Sequence, residues 1–546
     1  MRTTDELIAE LLRRRGIEDA ERFFNPTLAD FPSPDSLPGV KDAAEEILAA
    51  LAAGRQVVVF GDYDCDGICA TAILVRTLRA LGSSVAPFLP ERLTEGYGMS
   101  ERSVARMLRE HPSVGLVVTV DNGINSVEQV AALKSRGVGV VVTDHHLAGD
   151  TLPGCTVVNP KVDAPPELAG LCGAGVAFVL ANELIKVAKA RGVYDGPNIG
   201  GPLLVLAGLA TVTDIMPLLG VNRDLVAEAL RRFRTWAPIG LQELVLKAAK
   251  SCPTAMTTRD FGFLIGPRIN AAGRMSDGRE ALELVLCDEQ DREMARELAR
   301  KVDLHNVTRK SVEQTMTEEA LKKIVDGAPA QLIVLPEGHQ GVAGIVAARI
   351  LEKLGGRTPV CVLAGGHGSA RAPEGFNIRD AFEACRAHLT TYGGHAAAGG
   401  FSVKEGEVDA FRASLCEYAA AHIGSVGGVS ADDSVAELVA EPGELTLGFA
   451  QAIARMEPFG EQNPEPVFGL RGICLHDVRP LGKDGSHLIL QADRFKAIWW
   501  NHGDLVEELR GESAAPHDID FTIETSEYRG EITLELRIRA LRRTNP

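Results

Sequence analysis

Three aspartates, Asp62, Asp64 and Asp66, alternate within residues 61–67, Gly-Asp-Tyr-Asp-Cys-Asp-Gly. Carboxylates this close repel one another, and a chain tolerates them most readily when a hard cation sits among them. More candidate ligands follow: Asp121 in Asp121-Asn122-Gly123, the run Asp144-His145-His146, and Asp214. Mixed oxygen and imidazole donors suit Mn²⁺, with Mg²⁺ possible. A set of this size suits two divalent ions about 3.5–4 Å apart. The bland alternative makes each aspartate a helix N-cap or a turn residue. Asp121 before Asn-Gly fits either account alone; the four positions together favour a metal site.

The elements around these residues must bring them to one place. Residues 57–60, 114–120, 138–143 and 156–159 are short Val-rich apolar runs, separated by helical stretches at 68–81, 100–109 and 126–136. Such alternation implies a mostly parallel sheet. Three of the four motifs sit just after a Val-rich run, and the apolar run 203–213, before Asp214, could be strand or helix. Because each motif follows an apolar run, all four are expected on the same edge of the parallel sheet, where open α/β folds place their ligands. If the heptad alternates as a strand, Cys65 points away from that edge. A helical stretch at 174–190 follows the last of the Val-rich runs.

At 546 residues the chain should hold roughly three or four domains. The expected fold is α/β throughout its first two domains. Residues 1–287 form a parallel-sheet domain with an N-terminal helical extension. Residues 288–326, charged and free of Gly and Pro, form a long connecting helix, and 327–425 a smaller α/β domain. Residues 426–546 turn β-rich in short alternating runs, as in a small β-barrel. Residues 425–430, rich in Gly, Ser and Val, read as a linker or loop.

The formal net charge of −17 argues against a broadly basic surface, though a local basic groove remains compatible with it. The ten cysteines are scattered with no Cys-x-x-Cys pair, which predicts reduced thiols. No apolar run of about 18 residues occurs, so no membrane span and a cytoplasmic location are expected. No complete Walker sequence, His-Glu-x-x-His or nucleophile elbow is present. Gly173-Ala174-Gly175 is followed by Phe178 where a dinucleotide fingerprint needs glycine.

The motifs at 61–67, 121–123, 144–146 and Asp214 resemble the four motifs of the DHH phosphoesterase superfamily. Residues 90–98, 266–274, 366–371 and 392–400 resemble segments of its single-strand-specific 5′→3′ DNA exonucleases, the last two being typical of the DHH-associated domain. The likeness covers the chain to about residue 425 and continues more weakly into a part like an OB-fold. It implies that Asp64, Asp66, Asp121, His145 and Asp214 bind metal, with Asp121 as the bridge. Asp62 and Asp144 would orient ligands, and His146 would support them or face phosphate. Cys65 stands where the family often has Ala.

In that setting Gly393-Gly394-His395 suits the scissile phosphate, because glycines let backbone N–H groups approach an anion. Arg371 and Ser369, with Arg92, would hold a terminal phosphate. Arg268, Asn270 and Arg274 would track the strand backbone. Each arginine could instead be a solvated surface charge. Phe495, Trp499 and Trp500 among Arg479, Lys483, Arg494 and Lys496 suit base stacking, although residues 497–500 also read as a core strand. Arg537, Arg539, Arg542 and Arg543 would extend a basic groove.

The implied activity is metal-dependent removal of 5′-mononucleotides from single-stranded DNA in recombination and repair. The implied partners are a helicase and a single-strand-binding protein, and the chain would act as a monomer. Alternatives are an oligoribonuclease or cyclic-dinucleotide phosphodiesterase of the same superfamily, or a non-catalytic DNA-binding replication scaffold.

Overall fold

The computed structural model describes all residues except 251–252, 254, 423–434, 513–514, 529–530 and 545–546. The linker expected at 425–430 lies outside the described residues. The contacts divide the chain into two units.

The larger unit comprises residues 31–216 and 228–428. Its first sheet contains β1 (Gln56–Phe60), β2 (Val85–Phe88), β3 (Val114–Thr119), β4 (Gly139–Thr143) and β5 (Thr156–Val158). All are parallel, in the order β2-β1-β3-β4-β5. Val57, Val58, Val59 and Phe60 are fully buried. A parallel sheet covered on both faces needs such unbroken apolar strands. The strand order reverses between β1 and β3, so a crevice opens at their carboxyl ends.

One expected strand is a helix. Residues 203–213 belong to the helix Gly200–Thr213, apolar on every side and buried from Leu203 to Thr211. A helix enclosed in this way needs no polar face, which is why periodicity could not identify it. Asp214 therefore follows a helix rather than a strand. The Cys65 expectation also changes: the chain leaves β1 and turns into the helix Cys65–Ala80, with Cys65 buried in its first turn.

The long helix runs Arg292–Leu321, after a short turn at Glu289–Asp291 closed by a capping box between Asp288 and Asp291. The second sheet holds β6 (Gln331–Leu335), β7 (Val360–Ala364), β8 (His367–Arg371), β9 (Leu389–Gly394) and β10 (Ala398–Val403), ordered β6-β7-β8-β10-β9. Only β6 and β7 pair in parallel.

The smaller unit gathers residues 1–30, 217–227 and 429–546. Its sheet comprises β11 (Leu438–Val439), β12 (Phe468–Ile473), β13 (Leu475–Leu481), β14 (His487–Ala492), β15 (Phe495–Trp499), β16 (His517–Tyr528) and β17 (Glu531–Arg543), ordered β11-β12-β16-β17-β15-β14-β13. Residues 1–30 group here, not with the sheet domain to which the 1–287 boundary joined them. The reason is packing: Leu7, Ile8, Leu11 and Leu12 of the helix Thr4–Arg14 share one core with Phe449, Phe468 and Phe521.

The strand at 497–500 is core up to Trp499 and surface after it. Ala497 and Ile498 are buried, while Trp500 is 47% exposed, with the Arg537 guanidinium 5.2 Å from its ring. The expected groove of free arginines is not formed by Arg537, Arg539, Arg542 and Arg543. They pair with Glu524, Glu465, Asp520 and Glu512, because acidic residues occupy the neighbouring strands and turns. Among the described residues no helix is long and apolar enough to cross a membrane.

Candidate metal centre and phosphate anchor

The four motifs meet. Ligand atoms of Asp66, His145 and Asp214 all lie within 4.8 Å of one another, as do those of Asp121, His145 and His146, and those of Asp62, Asp64 and Asp121. Asp121 and His145 each belong to two of these groups. His145 Nε2 lies 3.1 Å from Asp121 Oδ1, 3.5 Å from Asp214 Oδ2 and 3.7 Å from Asp66 Oδ2. Asp62, expected only to orient ligands, stands at ligand distance itself, and so does His146.

Each carboxylate is aimed by local structure. Asp64 caps the helix Cys65–Ala80, its Oδ1 accepting from the Gly67 N–H at 3.0 Å. Capping uses one oxygen, so the cap and ligand readings coexist. Asp66 accepts from the Gly173 and Ala174 N–H groups, both at 2.7 Å, at the start of the helix Gly173–Ala190. Gly173 is also sterically required: a Cβ there would lie 2.5 Å from Asp121 Cβ. Asp121 itself has φ 61°, a left-handed conformation that costs a non-glycine residue roughly 1–3 kcal/mol. Strain of that size survives only where the surroundings impose it.

Asp144 has a different role. Its Oδ2 accepts from the Ile124 N–H at 2.9 Å, and its Oδ1 from the backbone of His145 and His146 and from His146 Nδ1 at 2.8 Å. Burial pushes this carboxyl up, yet the hydrogen bond from His146 wins and holds it below its ordinary value. His146 is lowered by burial but raised overall by Asp144. This pair fixes the orientation of the His146 imidazole.

The electrostatics call for a cation. Burial and neighbouring carboxylates push Asp62 and Asp121 well above the ordinary aspartate range. The same causes raise Asp66 to about 6 and Asp214 to about 8. Burial, then the charge of His146, drives His145 down to about 3, leaving the neutral imidazole that binds metal. Asp62 Oδ1, Asp121 Oδ1 and His145 Nδ1 are buried with no hydrogen-bond partner. Orphaned acceptors in so acidic a cluster fit one or more divalent ions.

Beside the carboxylates lie three guanidiniums. Arg371 and Ser369 project from the same face of β8, where Gly344 leaves them room: a Cβ there would sit 3.1 Å from Arg371 Nη2 and 3.5 Å from Ser369 Cβ. Arg274 donates to the Gly341 carbonyl at 3.3 Å. Arg92 lies 4.9 Å from the Tyr63 ring centroid. Burial lowers Arg274 to about 10, helped by Arg92 and Arg371, and Arg371 is lowered by burial and Arg92. Among the described residues none of the three has an ion-pair partner. Clustered, unpaired guanidiniums make an anion site. Arg92 also acts on Asp62, and Asp64 on Arg274, so the anion site adjoins the carboxylates.

Other expectations separate from this cluster. Arg268 is bound to Asp303 of the long helix at 2.9 Å and to the Leu264 carbonyl at 2.7 Å, which makes it an internal brace. Asn270 accepts from the Cys65 N–H at 2.8 Å and so anchors the heptad instead of tracking a strand. Gly393 and Gly394 end β9, paired with Gly400 and Gly399 of β10, and His395 opens the exposed turn between the two strands. Gly394 has φ 130°, and its missing Cβ would lie 2.4 Å from the Ala398 carbonyl.

Three stretches of the chain match known protein families. The DHH family, N-terminal domain, matches residues 56–198; the DHHA1 domain matches 329–421; and the RecJ OB domain matches 436–540. The single-stranded-DNA-specific exonuclease RecJ of Thermus thermophilus is 38% identical over 483 residues, 88% of this chain and 68% of that protein. The chain belongs to the RecJ family. The crystal structure of Thermus RecJ in complex with Mn²⁺ matches with a TM-score of 0.83 at 33% identity, covering 98% of this chain and 76% of that one. Its complex with Mg²⁺ matches with a TM-score of 0.76 at 32% identity, covering 98% and 74%. Two RecJ structures thus hold the ions that the donor set here suits.

Sequence reasoning missed four contributors. Gly173 and Ala174 were visible only as a failed dinucleotide motif, though a glycine opening a helix near an acidic motif is a usable signal. Lys161, whose charge acts on Asp214, His145 and His146, carried no motif that singled it out. Tyr97 lay inside a matched segment without a role.

Proposed function

We propose that this chain is a metal-dependent exonuclease that degrades single-stranded DNA in the 5′→3′ direction, one nucleotide at a time. The observation that carries the reading is the unpaired Arg92–Arg274–Arg371 cluster adjoining the Asp–His cluster. An anion anchor beside a metal centre suits a strand held by its terminal phosphate, with the next phosphate at the metals. That geometry favours mononucleotide release. The 5′ polarity follows the family, as does single-strand preference, which the names of the RecJ relatives carry.

Asp64, Asp66, Asp121, His145 and Asp214 would hold two ions, with Asp62 and His146 at ligand distance and Asp121 shared. When bound, such ions lower the pKa of water and neutralise phosphate charge. The chain's own groups do the rest. Arg92, Arg371 and Ser369 bind the terminal phosphate, and Arg274 adds charge where the two phosphates meet. Asp144 keeps the His146 imidazole turned toward the cluster. His395, on its exposed hairpin, supplies a further donor to the scissile phosphate. Attack of water on phosphorus breaks the P–O3′ bond, releases a 5′-mononucleotide and leaves a new 5′-phosphate for the same anchor. We further propose that the protein acts as a cytoplasmic monomer beside a helicase and a single-strand-binding protein.

A time course on 5′-labelled single-stranded DNA, duplex DNA and RNA, with Mn²⁺ or Mg²⁺, tests the reading. Immediate release of labelled mononucleotide from single strands is expected. Internal cuts, or hydrolysis of di- to pentanucleotides only, would overturn it.

A further inference from the structure

Residues 96–98 lie between β2 and the helix Glu101–Glu110, outside the four metal motifs. The Tyr97 hydroxyl donates to the main-chain carbonyl of Asp121 at 2.7 Å. The same oxygen lies 3.1 Å from His146 Nδ1, and the two rings meet edge-on at 5.5 Å. The next residue, Gly98, turns its N–H to the Asp62 carboxylate. Gly98 has φ 60°, and a Cβ there would lie 3.2 Å from Asn122 Cβ. Asn122 in turn donates to the Phe60 and Val120 carbonyls at 3.2 and 2.8 Å. One short loop thus ties together the ends of β1, β3 and β4.

The tie falls where the backbone is under strain. Asp121 is the shared carboxylate of two ligand groups, and its left-handed φ of 61° sends its side chain to the cluster and its carbonyl to Tyr97. We propose that Tyr97 is a positioning residue of the metal centre: its hydroxyl holds the Asp121 carbonyl, and through it the backbone turn that presents the Asp121 carboxylate to metal. Partners that orient a ligand typically cost about 10–100-fold in metal affinity or activity when removed. The inference rests on the metal reading of the Asp–His cluster, whatever substrate that cluster cleaves.

Tyr97→Phe in the full chain removes one oxygen and keeps the ring. Mn²⁺ affinity, followed by calorimetry or by the Mn²⁺ electron paramagnetic resonance signal, should fall about tenfold or more. At fixed low Mn²⁺, kcat should fall with it and recover in part as Mn²⁺ is raised. KM for an oligonucleotide and the melting temperature of the metal-free protein should not move. Mn²⁺ affinity within twofold of the parent overturns the assignment. So does a raised KM with unchanged metal affinity, since Tyr97 is half exposed and would then be a strand contact. A lower metal-free melting temperature would make the hydroxyl a general support and overturn it too. The parent chain separates the two readings. If it binds Mn²⁺ but cleaves no nucleic acid, the nuclease reading fails while the Mn²⁺ comparison still decides Tyr97. If it binds no Mn²⁺, the metal reading itself fails.

Discussion

Asp121 is shared by two ligand groups, is buried, and has an oxygen with no partner. Asp121→Asn keeps its size and halves its ability to ligate. Mn²⁺ affinity and nuclease rate should both fall by at least about 100-fold, the upper end of what outer partners cost; titration and a single-turnover assay check this. The raised carboxyls give a pH signature. Asp66 near 6 and Asp214 near 8 hold protons more tightly folded than unfolded. Between the unfolded aspartate value, about 3.9, and those values, the native state binds more protons, so stability falls as pH rises. The metal-free protein should therefore melt lower at pH 8 than at pH 5. Metal must displace those protons, so Mn²⁺ affinity should climb over the same window. A melting temperature of the metal-free chain that rises from pH 5 to 8 would contradict the assignment of buried, metal-seeking carboxyls.

At the scale of elements, the start of the helix Gly173–Ala190 does two jobs. Its first amides fix Asp66, and the missing Cβ of Gly173 makes room for Asp121. Gly173→Ala puts a methyl 2.5 Å from Asp121 Cβ, so the carboxylate or the helix must shift. A loss of activity of about tenfold or more is expected, with Mn²⁺ binding weakened; unchanged binding would mean that the helix yields freely. β8 makes the matching contribution to the anion anchor. Arg371→Ala should abolish any preference for 5′-phosphorylated over 5′-hydroxyl ends while sparing Mn²⁺ affinity, measurable by competition between the two oligonucleotides. These contributions differ in how visible they were. Short-range patterning identified β1, β3 and β4, because Val runs buried on both faces leave a clear trace. It could not assign the helix Gly200–Thr213, where burial on every side erases period. Nor could it foresee that Arg268 and Asn270 serve the interior, since an ion pair with Asp303 and a bond to the Cys65 amide depend on neighbours far along the chain.

On the scale of the molecule, the N-terminal helix belongs to the β-rich unit. Leu11 is fully buried in the core that also holds Phe449 and Phe521. Leu11→Ala should destabilise that unit by about 2–5 kcal/mol and leave Mn²⁺ affinity unchanged, as separate thermal transitions or limited proteolysis would reveal. A uniform loss of Mn²⁺ binding would argue against two units. The chemistry of the centre was legible from local order: crowded aspartates, Asp-His-His and their place after apolar runs depend only on residue type and spacing. The family resemblance supplied the terminal-phosphate role of Arg92, Ser369 and Arg371. What the fold alone decided was convergence. Through-space distance made Asp62 and His146 ligand-close, joined Arg274 to Arg92 and Arg371, and occupied the C-terminal arginines with carboxylates. A linear sequence records spacing along the backbone, but electrostatic and steric terms act across space, and only packing sets those distances.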